Sequence, residues 1–481
     1  MSTGHAANGP AVDAVVVGAG PNGLAAAAEL VRAGRSVHVI EGHTAVGGGT
    51  RTEELTVPGV WHDVCSAVHP FGAASPFLRS LPLADHGLEW VHPEIDVAHP
   101  LDGGRAGLLF RSITETAASL GDDGASWERT FGPLTSRAPE LATDILGPLV
   151  SVPRHPITLA RFGVSAVQPA SLVARRWQTP EARGLFAGIA AHVYRPLQQP
   201  LTASAGMMFV AMGHTYGWPV AKGGSRAITD ALAAYVLAGG GTVETGRTVT
   251  SLDDLPPHQV ALFDVGPRAF ARIAAPRLPG RVRRAYERYR HGPGAFKVDL
   301  AIEGGIPWQH PEVARAGTVH LGGTFEEVAA AEADVYRGRM PVRPFVLVAQ
   351  QYVADPTRSA GDVHPVWAYA HVPTGWPGDA TEAILDQIER FAPGTRDRIV
   401  GLAVHSTTDL EAYNPNYVGG DVATGANDPR QILFRPRVTL TPYDTGIDGV
   451  YLCSAATPPG AGVHGMAGFH AARRALKHLG G

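Results

Sequence analysis

Near its start the chain carries Gly18, Gly20 and Gly23 in the order G-x-G-x-x-G, set between "AVDAVVVG" and "LAAAAELVRAG". No other feature constrains the fold as strongly. The β-branched run before it reads as a strand buried on both faces, as in a parallel sheet. The alanine-rich run after it reads as a helix ending at Gly34, and "SVHVIE" is the next strand. The first glycine permits a tight turn, the second lets backbone approach a pyrophosphate, and the third lets the helix pack close to its strand. Pro21 and Asn22 open the helix, whose free N–H groups favour an anion. Glu41 ends the second strand at the spacing where a carboxylate binds a ribose diol, which disfavours a 2′-phosphate. A dinucleotide is therefore expected, and these residues alone leave NAD and FAD both open.

Directly after Glu41 comes "GHTAVGGGTRTEEL". Gly42, Gly48, Gly49 and Thr50 are expected to bring backbone beside the dinucleotide, and Arg51 to reach its phosphates or a flavin edge. The competing reading is a flexible surface loop.

A chain of 481 residues is too long for one simple core. Strand–helix units occur at the start, around Gly223 to Val265, and at the end, with helical and antiparallel material between them. The expected fold is α/β, with a Rossmann-like domain assembled from 1–75, 216–290 and 431–481. An α+β substrate domain is inserted as 76–215 and 291–430, with helices and a mixed or antiparallel sheet. "GAFKVDLAI" alternates and is expected to be a half-exposed strand.

The net charge of -4 implies neither nucleic acid nor an acidic lipid surface as partner. Cys65 and Cys453 form no framework, and "MSTGHAANGPAVD" lacks the marks of a secretory signal, so a cytoplasmic location is expected. "AGMMFVAM", residues 205–212, leaves peripheral membrane contact open but reads foremost as a buried helix. No metal-ligand spacing occurs, and no metal is expected.

The end of the chain, "TPPGAGVHGMAGFHAARRAL", is a second glycine-rich loop opening a helix. A nicotinamide site has no evident use for it. A flavin does, because its planar ring needs close backbone approach and a helix N-terminus near its pyrimidine end. In "VVVGAGPNGLAAAAEL", "VGGGTRTEEL", "GWPVAKGGSRAITDAL…GGTVETGRTVTSL" and "GVYLCSAATPPGAGVHGMAGFHAA" the chain resembles the flavin amine oxidase and phytoene desaturase clan, above all its phytoene dehydrogenase-like branch. The resemblance implies FAD. It implies that Gly18, Gly20 and Gly23 bind pyrophosphate, Glu41 the ribose, Gly48 and Arg51 the ribityl and phosphate path, and Val249 the adenine. Gly462, Val463, His464, Gly465 and Met466 would line the flavin. Ser454 and Ala455 stand where many relatives have an acidic residue. Lys297 is similar to the amine oxidase lysine that holds a water near flavin N5; the plainer reading is an exposed lysine on a polar strand face.

Hydride transfer to a flavin often needs a base as well, and His464, His69 and His214 are the leading histidines, with His192 and Tyr194 behind them. Met207, Met208, Phe209, Trp218, Trp308 and Trp367 offer a tunnel for the apolar organic substrate that the resemblance implies. Electrons would leave to oxygen, a quinone or another acceptor. The same cofactor residues would serve an isomerase, saturase or hydratase without net redox change, and a lipid-binding escort protein shares the architecture. Oligomeric state is left open.

Overall fold

The structure, a computed structural model, describes residues 11–480; most of the N-terminal segment read above for a secretory signal lies outside them. In chain order its main elements begin with β1 (Val12–Val17), α1 (Pro21–Arg32), β2 (Val37–Ile40), β3 (Ile95–Leu101) and β4 (Arg105–Leu109). The helices α2 (Pro156–Ala166), α3 (Ala170–Val173), α4 (Pro180–Ala190), α5 (Ala203–Tyr216) and α6 (Arg226–Ala238) follow. Then come β5 (Thr242–Glu244), β6 (His258–Phe263), β7 (Gly294–Glu303), β8 (Ala316–Leu321), β9 (Val346–Ala349), β10 (Val363–Val372) and β11 (Ile399–His405). The chain closes with β12 (Val450–Leu452) and α7 (Met466–His478).

Two sheets organise the molecule. The first is parallel, in the order β12-β6-β1-β2-β5, so its strands come from three separated stretches of chain. Its strands are apolar because helices cover it, with Val15, Val16, Leu262 and Leu452 fully buried. The second sheet has the order β11-β7-β10-β9-β8-β3-β4 and is antiparallel except for the β8–β3 pair.

The strand β7 departs from expectation. It is buried from Gly294 to Ile302, with only Glu303 exposed, because β10 and β11 pair along both its edges and other elements cover its faces. Lys297 is accordingly not an exposed lysine; it is 2 % exposed. The helix α5 contains "AGMMFVAM" and is largely interior, as the buried-helix reading of that run expects. No single described helix is long and apolar enough to cross a bilayer.

The two ends of the chain pack on each other through α1 and α7. A Cβ on Gly468 would lie 1.8 Å from the Asn22 carbonyl oxygen, so the backbones of the helices meet directly there. Gly23 works the same way inside the first turn, where a Cβ would lie 1.9 Å from the Gly18 carbonyl oxygen.

Candidate functional site

A cavity of about 1020 Å³ runs from the C-terminal edge of the parallel sheet into the second sheet. Its outer wall uses residues that follow four parallel strands: Gly18, Glu41, Asp264 and Ser454. This is where open parallel sheets bind ligands. Pro21, Asn22, Gly42, Gly48, Gly49 and Arg51 continue the wall, and Val249 lines it with Arg247 and Thr248.

Glu41 is fixed by local backbone. Its Oε2 accepts from Ala19 N at 2.6 Å and its Oε1 from His43 N at 2.8 Å. Arg51 is held by the carbonyls of Gly48 and Ala45, and its guanidinium lies over the Tyr413 ring at 5.2 Å. It stands 3.7 Å from Glu41, a charge balance suited to a ligand with both phosphate and diol. Asn22 Oδ1, Arg51 Nε and Ser454 Oγ are buried without partners on this wall, which marks them as groups awaiting a polar ligand.

From the other end of the chain, Pro458 to Val463 line the same cavity. Val463 holds φ +53°, a left-handed conformation that brings its backbone round the turn. The residues after it do not line the wall. The His464 ring accepts Met466 N–H at Nδ1 over 3.1 Å, and its carbonyl accepts from Ser75 Oγ at 2.7 Å. Burial pushes its pKa down to about 4, so it is neutral near pH 7. A Cβ on Gly465 would meet Ala25 Cβ at 2.8 Å, so Gly465 seats the loop on α1. His464, Gly465 and Met466 are therefore struts of the loop, and His464 is not placed as a base. Thr50 likewise turns inward to Gly47 O and Thr229, and Gly23 lies behind the turn.

The other histidine candidates fail on the same ground. His69 Nε2 donates to Ser225 Oγ at 2.8 Å, and burial lowers its pKa to about 4. His214 accepts from Trp127 Nε1 at 3.0 Å and donates from Nδ1 to the Phe110 carbonyl at 3.0 Å, again with a pKa near 4 from burial. Neither lines the cavity; both satisfy interior polar groups. Met207 and Trp308 also fall outside it, Trp308 donating to Gln350 at 3.0 Å in a separate core. Met208, Phe209, Trp218 and Trp367 do line it.

The inner chamber adds His192, Tyr194, Lys297, Tyr369 and Arg435. Lys297 pairs with Asp299 two residues along β7, on the same strand face. Burial opposes ionisation of Asp299, but Lys297, with His405 and His62 beside it, holds its pKa well below the usual carboxylate range. The Tyr194 and Tyr369 hydroxyls share a hydrogen bond of 2.9 Å. Arg435 is 4 % exposed and bonds Asn427 Oδ1 at 2.9 Å and the Gln431 carbonyl at 3.3 Å. Among the described residues no carboxylate pairs with it, so an unneutralised cation stands beside the 460–463 turn. Among the described residues no group of side chains suits a metal ion.

Asp264, Arg435 and Tyr369 were not singled out by the sequence, whereas Tyr194 was. Asp264 had a readable signal, since it ends the apolar strand "HQVALF", where ligands gather. Its Oδ2 accepts Gly23 N–H at 2.9 Å, and burial raises its pKa to about 7.

Comparison with known proteins agrees with this fold. The family model of an NAD(P)-binding Rossmann-like domain matches residues 16–81. Over 98 % of its length the chain is 25 % identical to the rat protein named pyridine nucleotide-disulfide oxidoreductase domain-containing protein 2, covering 94 % of it. Among solved structures, an oxidoreductase from Methanosarcina mazei superposes with a TM-score of 0.60 at 16 % identity, covering 97 % of this chain and 100 % of its own. Putrescine oxidase bound to putrescine does so with a TM-score of 0.60 at 18 % identity, covering 98 % and 99 %. These likenesses establish the fold: a Rossmann-like dinucleotide domain with a second, antiparallel-rich sheet.

Proposed function

We propose that the protein is an FAD-dependent oxidoreductase of the phytoene dehydrogenase-like branch, taking hydride from an organic, predominantly apolar substrate. The observation that carries this reading is the single cavity shared by both glycine turns and continuing into a chamber of the second sheet. The unpartnered Asn22 Oδ1, Arg51 Nε and Ser454 Oγ fit a dinucleotide with a polar ring system. Glu41 would hold the ribose, the Gly18–Gly20 turn and Arg51 the pyrophosphate, and residues 460–463 the ring. FAD, when bound, supplies the hydride acceptor.

The chain's own groups set the surroundings. Arg435, with no carboxylate partner, stabilises negative charge near the 460–463 turn. Lys297, anchored by Asp299, presents donor protons at Nζ. One hydroxyl of the Tyr194–Tyr369 pair donates to the other, leaving a single proton for a substrate oxygen or nitrogen. Phe209, Met208, Trp218 and Trp367 give the substrate an apolar bed and exclude water. Oxygen, a quinone or another acceptor would take up the electrons.

The test is spectroscopic. The purified protein is expected to bind FAD and show flavin absorption bands, and anaerobic mixing with substrate is expected to bleach them. Turnover without bleaching would replace oxidation by isomerisation, and a protein that takes up no flavin would replace both. Lys297→Met is expected to keep its flavin while flavin reduction slows roughly a hundredfold, at the lower end of proton-transfer contributions.

A further inference from the structure

We infer that residues 149–176 dock the protein on an anionic lipid surface, beside an opening through which an apolar substrate enters the cavity. Three observations converge on this segment. The first is apolar exposure. Seven of the sixteen exposed large hydrophobic side chains of the described residues fall between 149 and 172. Among them Val152 is 93 %, Ile157 71 % and Val164 67 % exposed, with Leu149, Val167 and Leu172 beside them in sequence. Single exposed apolar residues need no explanation, but a cluster of this kind marks a contact surface.

The second is charge. Between 145 and 180 there is no Asp or Glu, while Arg154, Arg161, Arg175 and Arg176 are all present. The chain as a whole is net acidic, so its overall charge conceals a local cationic face. The neighbouring carboxylates do not cancel it. Glu140 binds Arg137 and Thr158, and Asp144 is turned inward to accept the backbone N–H groups of Arg154 and His155. On α2, Ile157, Arg161 and Val164 share the exposed side at i, i+4 and i+7, opposite the buried Thr158, Phe162 and Ser165. Arg161 can cover apolar surface with its stem while its head meets a phosphate.

The third is position. Ile145, Gly147, Leu149 and Phe162 line the same cavity as the two glycine turns, and Leu149 is also exposed, so the patch adjoins the cavity wall at Leu149. The segment cannot span a bilayer as one rod, because α2 and the following turn of helix, 170–176, meet at 91°. At about 1.5 Å per residue the 11 residues of α2 are also only half the needed length. A bent pair with an apolar face and arginines suits the interface plane. A second copy is a poorer occupant, since a two-fold contact would set these arginines against their own copies. The docking stands on the surface alone; the delivery of substrate rests on the apolar-substrate reading above.

Co-sedimentation of the full-length protein with vesicles tests the docking independently of catalysis. Vesicles containing phosphatidylglycerol are expected to bind it, and phosphatidylcholine vesicles to bind it at least tenfold more weakly, with affinity falling as salt rises. Arg154→Gln, Arg161→Gln and Arg175→Gln together are expected to weaken binding roughly fivefold per arginine. Ile157→Asp with Val164→Asp is expected to abolish it, with flavin absorbance and melting temperature unchanged because both positions are exposed. Equal binding to both lipids, binding insensitive to salt, or no binding overturns the inference. So does a concentration-dependent dimer that Ile157→Asp with Val164→Asp dissolves, which would make a second copy the occupant. Should either variant fail to fold, the salt titration of the unaltered protein decides alone.

Discussion

The two glycine turns meet at one cavity but are built in opposite ways. The N-terminal turn is mainly local: Gly18 N bonds Ile40 O and Ala19 N bonds Glu41 within one strand–helix–strand unit, while Asp264, which accepts Gly23 N–H, is a distant partner. The C-terminal turn is held from far away, by Ser75 on its His464 carbonyl and by α1 against Gly465 and Gly468. A local turn forms with its unit, whereas a distant one forms only once the whole chain has closed. Their buried titratable groups also differ, Asp264 beneath the first and His464 inside the second.

The largest expected effect strikes the local turn. Gly23→Val drives a side chain into the Gly18 carbonyl, where neither backbone can yield, at about 3 kcal/mol or more. Soluble protein and flavin content should both collapse, as absorbance and expression would report. Gly468→Val is expected to be milder: the parallel sheet survives, α7 lifts from α1, and FAD affinity by fluorescence titration falls more than tenfold. If both variants lose fold equally, the contrast between local and distant construction is wrong.

Next comes pH. His464 has a folded pKa near 4 against an ordinary value of 6.5, so the unfolded chain binds its proton first as pH drops. Its contribution is complete above pH 6.5 and is lost between 6.5 and 4, by up to roughly 3 kcal/mol. Asp264 has the opposite sign. Its folded pKa near 7 lies above 3.8, so its contribution is complete below 3.8 and is lost as pH rises through 7. Melting temperatures across this range should therefore rise more steeply with pH for Asp264→Asn and less steeply for His464→Gln. FAD affinity should weaken above pH 7 in the unaltered protein, as the Asp264 carboxylate charges near the pyrophosphate turn, but not in Asp264→Asn.

The smallest effect belongs to Ser454→Ala. Because Ser454 Oγ has no protein partner, the cofactor-free protein should melt unchanged, while FAD binds about fivefold more weakly for one lost hydrogen bond of about 1 kcal/mol. An equal loss in both forms would mean that Ser454 bonds protein rather than cofactor.

Much of the parallel sheet was legible because its strands are apolar runs with glycine turns and a terminal carboxylate, signals that short-range chemistry writes into adjacent residues. The second sheet was less so. The strands β3, β4, β8 and β11 gave no clear signal; β3 contains His99 and Pro100, and β8 contains Thr318 and His320. These polar groups are tolerated by tertiary partners, such as Gly323 O for His99 and His192 for His320.

The sequence by itself determined the dinucleotide turn, the carboxylate at the end of the second strand, and the existence of a second loop at the far end of the chain. These depend on glycine spacing and strand periodicity, which act over a few residues. Only the tertiary structure decided which side chains face the cavity. It turned His69, His214 and His464 into internal braces, buried Lys297 on Asp299, and brought Asp264 and Arg435 to the wall. The reason is physical: a histidine's role follows from what its two ring nitrogens meet, and such partners can lie far along the chain, as Ser225 does at 156 residues from His69.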